Sequence, residues 1–245
     1  AKLIAVSGLP LGLGDLIGAA VGFAAFAFAL NATEKHTYLL YLCDDIVSTW
    51  QFAHRRRPDW EARMDLFAGY LVDAVKASDA DEVVVVGHSS GSFLAVDVVD
   101  RALTRDPALG EHGRPVRLLT IGANLPVVGF YKKAQWFRDR LRRLAVSGQI
   151  GWVDFQSRHD IMNLWPFDPV AGHGIDPGPA RRNPKVVSIS FRDMWRPGNF
   201  GRRRWRFFQA HFQFLLANEL TEAPYDYYLI CCGPQDLAAR AAAAH

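Results

Sequence analysis

Ser89 stands at the centre of Gly87-His88-Ser89-Ser90-Gly91, a Gly-x-Ser-x-Gly spacing that reads as a nucleophile elbow. A serine hydroxyl is a weak nucleophile at neutral pH. It needs a base within hydrogen-bond reach and a third group that orients that base. Ser90 and Ser92 are rival hydroxyls, but only Ser89 has glycine two residues away on each side. Gly87 and Gly91 lack the Cβ atoms that would collide where a strand turns sharply into a helix. For an elbow serine the order along the chain is nucleophile, acid, base. Asp160 closes Gln156-Ser157-Arg158-His159-Asp160, directly after the apolar run Ile150 to Phe155. His211 follows the last strong apolar run, Lys185 to Phe191, and is expected to open a helix. Asp168 is a rival acid, but Asp168-Pro169 is turn chemistry, and Asp154 falls within a strand. Among rival bases, His173 precedes the last strand and His245 sits in an alanine-rich tail, while His88 and His159 are expected to shape the pocket. The alternative reading of His211 is a histidine packed among Phe207, Phe208 and Phe212.

The chemistry these residues support is acyl transfer. His211 takes the Ser89 proton, Ser89 attacks a carbonyl, Asp160 holds the imidazole, and water resolves the acyl-enzyme. The Ser90 amide would head the elbow helix and donate to the oxyanion, with Leu9 the second donor because Pro10 has no N–H. No metal or organic cofactor is required. Asp44-Asp45 has no acidic or histidine cluster beside it, and Cys43, Cys231 and Cys232 offer neither a disulfide framework nor metal spacing.

The elements that must position these groups alternate. Apolar runs predict strands at Lys2 to Ser7, Thr37 to Cys43, Val83 to Val86, Val116 to Gly122, Ile150 to Phe155 and Lys185 to Phe191. Three-to-four residue spacing predicts helices through Trp60, Met64, Phe67, Leu71 and Val75, opened by Pro58, and through Phe130, Ala134, Phe137, Leu141 and Leu144. The outer face of the second of these helices carries Lys132, Lys133, Arg138, Arg142 and Arg143, expected to be solvated. A last helix follows Arg206, with Phe208, Phe212, Leu215 and Leu216 on one side. This pattern predicts an α/β domain over 1–245 with a mostly parallel sheet of about six strands and helices on both faces. Leu16 to Leu30 is apolar throughout and reads as a core or lid helix, a lipid-facing segment, or, extended back to Leu9, a span.

A net charge of +3 argues against nucleic acid as the partner. The basic groups Arg55-Arg56-Arg57 and Arg202-Arg203-Arg204 with Arg206 read either as solvated surface or as contacts to an anionic membrane or acidic partner. The chain opens on Ala1 in what reads as a strand, so upstream sequence is expected.

Taken together, GHSSG with Asp160 and His211 downstream resembles the Ser-Asp-His enzymes of the α/β-hydrolase superfamily, from Lys2 to about Ala217. The succession TIG, QSRHD and HFQF is similar in layout to class 3 lipases. VVVVGHSSGSFLAV, FDPVAGHGI, AHFQFLLAN and YDYYLICCGP look like an uncharacterised group of bacterial α/β hydrolases with hydrophobic, membrane-associated insertions. The resemblance implies a serine ester hydrolase acting on a small-molecule or lipid ester with a hydrophobic acyl group, in the cytoplasm or at a membrane surface. A thioesterase or acyltransferase would use the same triad. A non-catalytic scaffold that keeps the fold would show a blocked elbow or a separated base.

Overall fold

In the computed structural model, described for residues 12–111 and 114–244, the chain divides into two compact units, Ala1–Ser48 and Thr49–His245. The strand expected at Lys2 to Ser7 lies outside the described residues.

In the first unit, α1 (Leu13–Thr37) takes up the apolar run and extends it on both sides. Residues 14–34 are, by length and composition, long and apolar enough to cross a membrane, and Phe23, Phe26 and Phe28 are exposed. The strand expected at Thr37 to Cys43 is instead the junction of α1 with α2 (Leu39–Ala53). Tyr38 adopts a left-handed conformation (φ 52°), and the Glu34 carboxylate then accepts from the Leu40 and Tyr41 amides at 2.9 and 3.0 Å. A carboxylate on the first amides of a helix satisfies donors that would otherwise be orphaned. That local cap wins over the strand-like composition of Tyr-Leu-Leu-Tyr-Leu.

In the second unit, α3 (Pro58–Ala77) opens on Pro58, where a missing N–H is harmless, and buries Met64, Ala68, Leu71, Val72 and Val75. Strand β1 (Val83–His88) leads into α4 (Gly91–Arg105), and β2 (Val116–Ile121) into α5 (Leu125–Gly129) and α6 (Gln135–Val146). Strands β3 (Ile150–Gln156) and β4 (Lys185–Ser188) are separated by a long loop. The C-terminal part contains α7 (Pro197–Arg203), α8 (Phe207–His211), α9 (Tyr227–Cys232) and α10 (Leu237–Ala243).

The four strands form one parallel sheet in the order β1-β2-β3-β4, with Val85 beside Leu118 and Leu118 beside Trp152. Six strands were expected; four are present among the described residues. The last strand is shorter than expected because the chain turns into a 3-10 helix at Phe191. Side chains alternate across the sheet as the pleat demands. Val83, Val85, Leu118 and Trp152 join a core with α3, α4 and α6, while Val84, Leu119, Val153 and Phe155 join a second core with Phe191, Trp195, Phe214, Tyr225 and Leu237. Helices therefore flank the sheet on both faces. Val86 is exposed, because β1 forms the edge of the described sheet rather than a strand covered on both sides.

Helix α6 is not simply solvated on its outer face. Arg143 pairs with Asp100 at 2.7 Å, Arg138 donates to the carbonyls of Gly129 and Tyr131, and the buried Arg140 pairs with the buried Asp97. Helical periodicity finds a polar face but cannot reveal the acids that α4 brings to it. Phe130 falls outside α6 and is exposed.

Candidate active site

The elbow is a tight strand-to-helix turn. Ser89 has φ +55°, a left-handed conformation that costs a non-glycine residue on the order of 1–2 kcal/mol. Its carbonyl accepts from Ser92 N (2.9 Å), Ser92 Oγ (2.5 Å) and Asn124 N (3.4 Å), and its own amide donates to Ile121 O (3.1 Å). Four hydrogen bonds to the backbone of this one residue hold the turn against its strain. The two elbow glycines differ. A Cβ on Gly87 would lie 2.6 Å from the Gly91 carbonyl oxygen and 2.8 Å from Ala95, so the strand and α4 can touch only at glycine. A Cβ on Gly91 would meet nothing within 4 Å, which corrects the expectation that both glycines relieve a collision. Ser90 caps α4, so its amide heads the helix at its partially positive end. Leu9 lies outside the described residues.

Asp160 sits just past β3 at the C-terminal edge of the sheet and is buried. Its Oδ1 accepts from Met162 N at 2.9 Å, capping a short 3-10 turn, which leaves Oδ2 for His211 Nδ1 at 2.7 Å. A carboxylate can only accept here, so Nδ1 carries the proton and Nε2 presents a lone pair. His211 is buried, and its Nε2 has no hydrogen-bond partner among the described residues. It closes α8 rather than opening a helix: a 3-10 segment follows at once, and Gln213 and Phe214 are buried while Phe212 and Leu216 are exposed.

Two further contacts tie the elbow to this pair. The His88 ring lies 4.5 Å from the His211 ring, and its Nε2 donates to the His211 carbonyl at 3.1 Å. Burial pushes the His88 imidazole down to about 4, and the neighbouring His211 acts in the same direction. At Gly122, where φ is +52°, a Cβ would stand 2.9 Å from the Phe214 ring and 3.5 Å from Asp160 Oδ2. That glycine lets the end of β2 approach the acid.

Ser89 Oγ accepts from Asn124 Nδ2 at 3.2 Å and makes no hydrogen bond to His211 Nε2. Sequence reasoning missed Asn124. Its signal was a polar residue three places beyond β2, on the sheet edge where open α/β folds carry their sites. Asn124 is nearly buried, and its Oδ1 has no partner among the described residues.

The rival residues have other duties. Asp168 accepts from the Val170 and Ala171 amides and pairs with Arg181 at 2.6 Å. His173 donates through Nδ1 to Pro169 O, and His159 Nδ1 accepts from Phe191 N. Asp154 lies inside β3, fully buried, and takes hydrogen bonds from Thr120 Oγ1 and Gln156 Nε2. Burial pushes its carboxyl up to about 6 despite those donors. Cavities of about 260 and 920 Å³ open beside Ser188–Ser190 and beside Trp195–Phe200, and neither is lined by Ser89, Asp160 or His211. No group of histidine, cysteine or acidic side chains suited to a metal ion is present among the described residues.

The geometry offers a strained serine at a helix N-terminus, a histidine with its basic nitrogen unspent, and a carboxylate fixing that histidine's tautomer. No protein-family model, curated protein or solved structure matches this chain.

Proposed function

We propose that this chain is a serine hydrolase of α/β-hydrolase type that cleaves a carboxylic ester with a hydrophobic acyl group through Ser89, His211 and Asp160. The observation that carries this reading is the 2.7 Å bond from His211 Nδ1 to Asp160, which leaves Nε2 as a base on the same sheet edge as the elbow. In the proposed cycle Nε2 takes the Ser89 proton as Oγ bonds to the carbonyl carbon, and the imidazolium returns that proton to the leaving alcohol. Water then repeats the sequence on the acyl-enzyme. The Ser90 amide, at the head of α4, is the proposed oxyanion donor, an interaction worth about 3 kcal/mol where it has been removed from other enzymes. A thioester or a second alcohol would enter the same cycle as alternative substrate or acceptor.

One observation favours a second reading, a hydrolase-fold scaffold without catalysis: Ser89 Oγ rests on Asn124 and not on His211. Catalytic hydrogen bonds in substrate-free enzymes are often long and tighten only in the complex. The reading is therefore tested chemically. A fluorophosphonate probe should label the wild type, and Ser89→Ala should abolish labelling while His211→Gln slows it at least a hundredfold. A wild-type protein that stays unlabelled, or label that persists in Ser89→Ala, favours the scaffold.

A further inference from the structure

The two arginine groups look alike in sequence and differ in their surroundings. Arg55 pairs with Glu61 at 2.8 Å, and Arg57 with Asp59 at 2.7 Å. In the second group Arg203 reaches Glu219 at 2.7 Å. Arg202, Arg204 and Arg206 are exposed, and no carboxylate pairs with them among the described residues. Arg204 lies instead over the Trp205 ring, 5.0 Å from its centroid. Between and beyond these arginines, Trp205 and Phe207 are 68% and 55% exposed, followed by Phe212 and Leu216 at 41% and 45%. Exposed aromatic side chains interleaved with unpaired cations suit an interface that is anionic at its surface and apolar just beneath.

We propose that residues 202–216 form a docking rim for an anionic lipid bilayer. Arg202, Arg204 and Arg206 meet lipid phosphates, and Trp205, Phe207, Phe212 and Leu216 enter the headgroup boundary. A nucleic acid could also neutralise the arginines, but its backbone would leave Phe212 and Leu216 in water. The rim is continuous with the candidate site: the Phe212 ring lies 5.4 Å from the His88 ring and 5.9 Å from the His211 ring. On the hydrolase reading of Ser89, on which this consequence rests, the substrate is an ester carried in the bilayer.

The test is co-sedimentation of the full chain with phosphatidylcholine vesicles, with and without about 30% phosphatidylglycerol. Three arginines near an anionic surface should tighten binding by about a hundredfold, roughly fivefold each, and salt should erode the gain. Helix α1 can enter either vesicle and cancels in the ratio. The combined change Arg202→Ala, Arg204→Ala, Arg206→Ala should bring the ratio to about one. Trp205→Ala with Phe207→Ala, which keeps every charge, should weaken binding to both vesicles by roughly tenfold. All five side chains are exposed, so the variants should keep the wild-type circular dichroism. Equal binding to the two vesicles, an unchanged ratio in the triple-arginine variant, or tighter binding to duplex DNA than to anionic vesicles overturns the proposal. Sedimentation needs no turnover, so a failed probe reaction bears on the hydrolase reading alone.

Discussion

The two faces of the sheet are held by different physics. On the side of α3, α4 and α6, charges are buried among the apolar residues: Asp97 pairs with Arg101 at 2.8 Å and with Arg140, and Asp154 is tied to Thr120 and Gln156. Both sides bury aromatic rings, but on the opposite side Phe155, Tyr225, Phe214, Phe191 and Trp195 form one continuous chain of ring contacts, and that side carries His88 and His211. The first face is specified by pairing, where a lost partner leaves a buried charge. The second is specified by shape, where a lost ring leaves a void. The candidate base therefore sits in a face where the loss of a neighbouring ring, such as Phe214, would leave a void close to it.

The sharpest way to probe this difference is Phe214→Ala. Removing a fully buried ring should cost roughly 3–5 kcal/mol in chemical denaturation, and it removes the surface against Gly122 beside Asp160. On the ionic face Arg140→Ala should cost about 3 kcal/mol, the lower end for a broken buried pair, because Arg101 still contacts Asp97. The comparison breaks if the double change Arg140→Met with Asp97→Leu is as damaging as the single one, since replacing both partners should recover most of the loss. Asp154→Asn should cost about 1–3 kcal/mol. Gln156 is held through both amide atoms by Phe167 N and O, so it cannot turn to accept from the new amide.

The smallest effect is a pH dependence. Asp154, raised to about 6 from an ordinary 3.8, adds stability that is complete below pH 3.8 and is lost as pH rises through 6. His88, lowered to about 4 from 6.5, adds stability that is complete above pH 6.5 and is lost as pH falls through 4. Between pH 4 and 6 the two slopes oppose each other. His88→Phe should leave stability falling from pH 4 to 6, and Asp154→Asn should leave it rising. Identical profiles in both variants would show that neither group governs this window.

Much of this architecture was legible because its signals are local. The runs at Val83, Val116 and Ile150 are strands within about two residues of expectation, since an unbroken apolar run bounded by turns has few other uses. Asp160 is marked by its place just after the run at Ile150 and His211 as the first histidine beyond the run ending at Phe191, and the structure brings the two within 2.7 Å. The errors were non-local or hung on a single contact. The Glu34 carboxylate caps the helix that takes in Leu39 to Cys43, and α4 supplies the carboxylates that pair with Arg140 and Arg143 of α6. Asn124 carries no motif and becomes visible only once β2 lies beside β1. The helix expected after Arg206 ends at His211, because the chain passes into 3-10 geometry there while Phe208, Phe212 and Leu215 still keep helical spacing.

Glu82 heads the strand that delivers Ser89. Its carboxylate accepts from Leu237 N at 3.0 Å and pairs with Arg240, a residue 158 positions further along the chain. Contacts of such long sequence separation close late in folding. During synthesis the elbow strand therefore emerges long before its clamp exists. Ser89 acquires its final structural support only after β2, β3, β4 and the face that carries Phe214 have been made, so a partly synthesised chain holds the Ser89 turn without its surrounding frame.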